Sequence, residues 1–264
     1  MAAPPENMSG KGLLYVHSRI TSELLDEPTL LKWYDEDHIP EIFATGGISS
    51  ASRFIDEQAK ARAGEGGRPY LHLYPLQDIG FLRTPEFAGI SVTSDMLPGS
   101  GLVYDLVDFD VRYYNLVQVF DPTNKGPGHT RTIFFAHFAL KEGCPSQDLD
   151  DWYRQEHLPQ LAQAEGYLRS TRYKLVWGRN NETSRAFKGR ESDNGAPAPA
   201  AKQQLPEWLA LHEFETDEVD VAELRRLTGT EWTNKIFANS EQAMGMAKLD
   251  RAHGDKKLHH GEAV

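Results

Sequence analysis

Alternating apolar and polar positions divide this chain into short strands separated by amphipathic helical stretches. From Leu13 to Ile20, the residues Leu13, Tyr15, His17 and Arg19 alternate with Leu14, Val16, Ser18 and Ile20, the period of a strand with both faces in use. Asp26, Glu27 and Pro28 then introduce a helix, with Thr29 expected as its N-cap and Leu30, Leu31, Trp33 and Tyr34 as its apolar stripe. Pro40 lacks an N–H and its ring crowds the carbonyl four residues back, so this helix should kink or restart after His38 and end at Gly46-Gly47. Strands are expected at 49–56, 69–76 and 111–121, with a short or irregular helix over 84–96; residues 101–110 fit either a connection or the start of the last strand.

The same order then recurs. A strand is expected at 132–140, a helix from a cap at Ser146 or Asp148 to Ala164, and strands at 168–177 and 208–214, followed by a helix over 221–240 and a strand at 244–249. Residues 179–205, rich in Gly, Ala and Pro, read as a surface insertion that the first copy lacks. The recurrence is explicit in Trp33-Tyr34-Asp35-Glu36-Asp37-His38-Ile39-Pro40 and Trp152-Tyr153-Arg154-Gln155-Glu156-His157-Leu158-Pro159, which share W-Y-x-x-x-H-x-P. Residues 33 and 152, 38 and 157, 40 and 159, 47 and 166, and 53 and 172 match at one constant offset of 119. A period this long is a duplicated compact unit, not a solenoid repeat.

A βαββαβ unit forms a four-stranded antiparallel sheet with its helices on one face, so the other face needs a partner. The expected fold is therefore α+β: two tandem ferredoxin-like units, at 12–121 and 131–250, whose sheets pack into one barrel with the helices outside. Residues 1–11 and 251–264 are expected to be flexible ends.

Composition narrows the function classes. A formal charge of −11, with Lys and Arg scattered, argues against nucleic acid and anionic membrane as partners. No apolar run approaches a membrane span, the first residues lack the pattern of a secretory signal, and the single cysteine, Cys144, excludes an internal disulfide. A cytoplasmic protein acting on a small molecule is expected, with a homodimer left open.

The strand, the helix with W-x-x-x-x-H-x-P, the following glycine and the strand with Arg53 or Arg172 resemble the EthD-type branch of the dimeric α+β barrel superfamily, in its fused, two-copy, fungal-type form. The resemblance covers both halves and departs from the family pattern at 179–205. It implies a mostly apolar pocket inside the barrel. It also implies an activity from a varied set: cofactor-free monooxygenases, isomerases, polyketide cyclases, decarboxylases and heme enzymes. A cofactor-independent enzyme of secondary metabolism, of lyase or isomerase type or a monooxygenase, is therefore expected to act on an aromatic or polyketide-like molecule. The alternatives are a non-catalytic binding or structural barrel and, by kinship alone, a heme-binding one.

Candidate chemistry lies in the histidines and tyrosines. Tyr34 with His38, and Tyr153 with His157, stand four apart on one helix face, where an imidazole suits acid–base work; the bland alternative is that each His caps a carbonyl freed by Pro40 or Pro159. On the first strands His17 is matched by His137. If Tyr15, His17 and Arg19 line the barrel together with His72, Tyr74, Tyr113 and Asn115, they form a polar cluster in an aromatic cavity, leaving Leu14, Val16, Leu71 and Leu73 under the helices. The second copy has Trp208, Ala210 and His212 on its third strand, so the first half is the more polar one. Arg53 and Arg172 could clamp a carboxylate or enolate, although an Arg on a strand more often pairs with an acidic neighbour. His17, His72, Tyr113 and His38 are thus the catalytic candidates, and Tyr15, Tyr74, Arg53, Asn115, His137 and His157 the substrate-binding ones. No metal site is expected, since His259-His260 reads as part of a loose tail, and no nucleotide-binding or serine-hydrolase motif occurs.

Overall fold

The computed structural model describes residues 4–189 and 205–260. Its strands are β1 (Gly12–Ile20), β2 (Ser50–Ile55), β3 (Tyr70–Leu76), β4 (Val107–Phe120), β5 (Thr132–Leu140), β6 (Tyr167–Arg179), β7 (Trp208–Phe214) and β8 (Ser240–Gly254). The helices of the first half are α1 (Glu27–Trp33), α2 (Ile39–Ala44), α3 (Glu57–Ala61) and α4 (Pro85–Gly89). Those of the second are α5 (Ser146–Trp152), α6 (Leu158–Leu161), α7 (Asn181–Phe187), α8 (Val221–Thr228) and α9 (Glu231–Ala238).

The strands form one closed antiparallel barrel in the order β1-β3-β2-β8-β5-β7-β6-β4. Within each half the order is that of a ferredoxin-like sheet. The halves are stitched by β2 with β8 and by β4 with β6, so no strand edge is left bare. The fold is thus the expected α+β barrel.

Register decides which side chains face inward. Tyr15 lies opposite Leu73 and Arg112, while Val16 lies opposite His72 and Val111, and Leu14 opposite Tyr74 and Tyr113. Directly opposed residues share a face. Hence Leu71 and Leu73 fill the barrel with Leu13, Tyr15, Tyr114 and Phe135, whereas His72, Tyr74 and Tyr113 lie with Leu14 under the first-half helices. The expected faces of β3 and β4 are therefore inverted: β1 was phased correctly, and its neighbours were offset by one. A third apolar layer, around Trp152, Phe138 and Leu158, lies under the second-half helices.

Each W-Y-x-x-x-H-x-P motif places a π-helical turn in its helix, Tyr34–His38 between α1 and α2 and Tyr153–His157 between α5 and α6. The N–H of Ile39 reaches back five residues to the Tyr34 carbonyl, and that of Leu158 to Tyr153. The wider turn relieves the clash between a proline ring and the carbonyl four residues before it, without ending the helix. The expected restart after His38 is thus found at Ile39.

Other boundaries differ from expectation for local reasons. Asp26, not Thr29, caps α1, its carboxylate accepting the Thr29 N–H at 2.9 Å. The stretch Val221–Ser240 is two helices, parted at Gly229 and restarted by Thr230, whose hydroxyl accepts the Thr233 N–H. β8 runs on to Gly254, and beyond it Leu258 and His259 are buried at the barrel mouth, with His259 Nε2 2.9 Å from the Gly12 carbonyl oxygen. A loose tail at 251–260 is thus corrected. The start of the expected insertion is helical (α7); residues 190–204, 1–3 and 261–264 lie outside the described residues.

Two buried arginines tie the helices to the sheet. Arg53, 2% exposed, donates to Asp35 at the π turn (2.7 and 3.2 Å) and to Asp250 on β8 (2.6 Å). Arg172 donates to Asp150 (2.8 Å) and Gln118 (2.7 Å) and stacks its guanidinium 4.1 Å from the Tyr153 ring centroid. This is the acidic-neighbour reading of both residues; a clamp on substrate by Arg53 is corrected, because its donors are engaged. Asp35→Ala would leave the Arg53 charge half-compensated in a buried setting, and we expect a loss of about 2–4 kcal/mol in unfolding free energy. Glu36→Ala on the exposed Lys32–Glu36 pair should change it by less than about 0.5 kcal/mol. Chemical denaturation of the two variants checks this, and equal effects would refute the assignment.

Candidate functional site

The barrel itself is filled. Tyr15 Oη bridges His17 Nδ1 (3.3 Å) from the first half and His137 Nε2 (3.2 Å) from the second, and Arg112 reaches His137 Nδ1 at 3.3 Å while paired to Asp110 at 2.6 Å. Apolar side chains from both halves pack around this chain of bonds. The structure therefore brings Tyr15, His17 and His137 together as an internal polar network inside the packed barrel. Burial pushes His17 down to about 4 and His137 well below the usual imidazole range, so both are neutral there.

Cavities lie instead outside the barrel, between each half's sheet and its helices. The first, of about 80 Å³, is walled by Trp33, Tyr34 and His38 from the helix, and by Leu14, Tyr74 and Val111 from the sheet. Tyr104, Arg179 and Lys188 complete it. At about 80 Å³ it is about half the engineered cavity of about 150 Å³ that admits benzene, so a ring enters only as the walls give way or with part of it out through the opening. Geometry fixes His38 tightly: its ring stacks on Trp33 (centroids 4.5 Å apart, 19° between planes) and meets Tyr34 edge-on at 5.7 Å. No hydrogen bond among the described residues engages either ring nitrogen, and Nδ1 is buried. The carbonyl-capping role is thereby excluded. Burial, helped by the Lys188 charge, lowers His38 to about 4, so the imidazole is neutral at physiological pH.

Arg179 is 8% exposed, lies over the Phe187 ring at 4.6 Å, and is paired with no carboxylate among the described residues. It faces the phenols of Tyr104 and Tyr113, yet its Nε and Nη1 and the Tyr113 hydroxyl are buried without a bond of normal geometry. Lys188 donates to the carbonyls of Phe87, Ala88 and Ile90 at 3.3, 2.9 and 2.8 Å, closing the C-terminal end of α4. Burial and the Arg179 charge bring it down to about 8. Both cations come from the second half, Arg179 because β6 continues past Trp177 along β4, with Val111 opposite Arg179. Sequence reading missed them: Gly178-Arg179-Asn180-Asn181 looks like a turn, although the alternation Leu175, Trp177, Arg179 carries on through it.

The second cavity, about 250 Å³, is lined by the matching Trp152, Tyr153 and His157, with His212 in the place that Tyr74 holds in the first half. Of the remaining candidates, His72 is locked under Tyr34 at 3.8 Å between ring centroids, with both nitrogens buried and unpartnered. Tyr113 packs 5.0 Å from the Trp177 ring beside Arg179. Neither lies in the barrel. Asn115 donates to the Ser9 carbonyl (2.8 Å), away from both cavities, which corrects it as a ligand contact. Among the described residues no group of three His, Cys, Asp or Glu is arranged to hold a metal, and no helix is long and apolar enough to cross a membrane.

No family model matches this chain. It is 26% identical over 214 residues to "Core atranone cluster (CAC) protein 1" of Stachybotrys chlorohalonatus, covering 77% of this chain and 82% of that one. Among solved structures it is similar to an anthrone oxidase-like protein (TM-score 0.50, 12% identity, 99% of both chains). It is also similar to a candidate monooxygenase of Fusobacterium nucleatum (TM-score 0.52, 8% identity, 96% and 97% of the two chains). At such identities the structural likenesses establish the ferredoxin-like barrel fold.

Six imidazoles, the half-buried His17 and His38 and the buried His72, His137, His157 and His212, are all held below their unfolded value of 6.5 by loss of solvent around the ring. As pH falls through 6.5 the unfolded chain takes up protons that the folded one refuses, so stability that is full above about pH 7 declines steadily toward pH 4. Thermal unfolding between pH 8 and 4.5 should show a melting temperature that falls below pH 6.5. A flat profile would contradict the desolvated, neutral state of these rings.

Proposed function

We propose that the first cavity is the active site of an enzyme acting on a small phenolic or enolisable aromatic molecule, with His38 as general base and Arg179 receiving the anion. One largely apolar cavity holds both a neutral imidazole whose Nδ1 is buried without a hydrogen bond and a buried guanidinium with no carboxylate partner among the described residues, and this pairing carries the proposal. An uncompensated buried cation is costly, and an anionic ligand offsets that cost. His38 takes a proton from an acidic C–H or O–H of the substrate and becomes imidazolium; the electron pair left behind spreads onto an oxygen that Arg179 stabilises. Burial that keeps His38 neutral before the reaction leaves it able to accept this proton.

An enolate or phenolate of this kind leads to several outcomes. Protonation at another carbon gives isomerisation, attack on an internal carbonyl gives cyclisation, and electron transfer to dioxygen begins a monooxygenation. The cluster membership in the name of the fungal relative supports a small-molecule role, and the word anthrone in that of one structural neighbour supports an aromatic ketone as substrate. Of the earlier candidates, His38 and Tyr74 line this site, while His17 lies in the packed barrel, apart from it.

Turnover of a panel of single-ring enolisable ketones and phenols, followed by absorbance and oxygen uptake, tests this. His38→Phe should lower kcat/KM by at least about 100-fold, and Arg179→Met should weaken turnover while the fold persists by circular dichroism. Because the base must be unprotonated and its folded pKa is about 4, kcat/KM in the wild type should stay level from pH 8 to about 5 and drop toward 4. Full turnover by both variants, or a rate that climbs through pH 6.5, would overturn the assignment.

A further inference from the structure

We propose that the second-half cavity is a separate binding site for a neutral, largely apolar phenol-type ligand. It is about 250 Å³ against about 80 Å³ for the first, and it lies between the outer face of β5 and β7 and the helices α5, α6, α8 and α9. Its walls are aromatic, with Phe134, Phe138, Trp152 and Tyr153 among them. Inside it two polar groups go unanswered: the Tyr153 hydroxyl and His157 Nδ1 are both buried with no hydrogen-bond partner. Each such group costs free energy while empty and returns it when a ligand supplies the missing donor or acceptor.

The mouth carries a second, independent sign. Val221, Phe237 and Met244, at 41, 37 and 41% exposure, all line this cavity, and Leu24 is the one other large hydrophobic residue that the described structure leaves so exposed. Apolar surface gathered around one opening is what an apolar ligand would cover on entry.

Charge sets the ligand class apart from that of the first cavity. No counterpart of Arg179 or Lys188 lines this site, and its one cation, Arg225, sits on the exposed side of α8. Arg172, beneath Tyr153, is paired through Nη1 with Asp150 and Gln118 and does not line the cavity. His157 and His212 are held neutral by burial. An anion would therefore meet no buried cation among the lining residues, whereas a phenol can donate its O–H to His157 or accept from Tyr153, with its ring against Trp152.

4-Bromophenol is a suitable probe, because its bromine can be located by anomalous diffraction and its binding followed by calorimetry. A bromine peak is expected in the second cavity. Tyr153→Phe keeps the ring that Arg172 stacks on and removes only the partnerless hydroxyl; it should leave the melting temperature unchanged or raised while weakening this binding phase by about three- to tenfold. Ala136→Phe, which fills the cavity from β5, should abolish the phase, and Arg179→Met in the other cavity should spare it. Should Ala136→Phe fail to fold, the Tyr153→Phe comparison decides. Absence of a bromine peak from this cavity, or a titration that Tyr153→Phe leaves unaltered, would overturn the proposal.

Discussion

The pairing of β4 with β6 is the contact on which the rest of the molecule depends. Together with β2 against β8 it turns two open sheets into a ring with no edges. It also slides the end of β6 across into the first half, so that Trp177 lies opposite Tyr113 and Arg179 opposite Val111. The helix that follows, α7, is held over the first-half cavity by Arg185 on the Tyr104 carbonyl (2.6 Å) and by Asn181 on the same oxygen (3.1 Å). A site that looks like the property of one half is thus completed by the other. The two cavities differ for the same reason: only the first receives this strand and helix.

The repeated motif produces a matched frame with unmatched chemistry. Both copies stack the His on the Trp, at 4.5 and 4.1 Å, and both absorb the proline in a π turn. The buried arginines also recur, but their carboxylates do not: Asp35 lies within the motif, whereas Asp150 precedes its Trp by two positions. Sheet-to-helix charge pairing is preserved by position on β2 and β6 and solved by different acids. Such drift is expected where a buried cation must be answered and several backbone positions can bring an oxygen to it.

Much of the fold was legible because it rests on periodicity and on a long repeat. β5 and β7 were placed to the residue, and the break at Pro40 follows from the missing N–H. The site was less legible. Alternation shows that His72 and Leu73 face opposite ways but not which way either faces; that is set by register against β1, which pairs His72 with Val16 and Leu73 with Tyr15. One residue of phase moved Tyr74 and Tyr113 from the barrel to the helix side. Arg179 and Lys188 were hidden for another reason: their partners are distant in sequence, and a polar Gly-Arg-Asn-Asn run gives no local sign that the strand continues.

Closure of the ring also sets a timetable. Arg53 meets Asp250 across 197 residues of chain, so the seam between β2 and β8 forms only after the whole second half exists. Until then the first sheet presents β2 and β4 as two bare edges and an apolar inner face with Leu13, Leu71 and Leu73 uncovered. A half-made chain is in this sense a sticky object, open to pairing with another copy's edge strand instead of its own. Joining both sheets in one polypeptide raises the local concentration of the correct partner and shortens that hazardous interval.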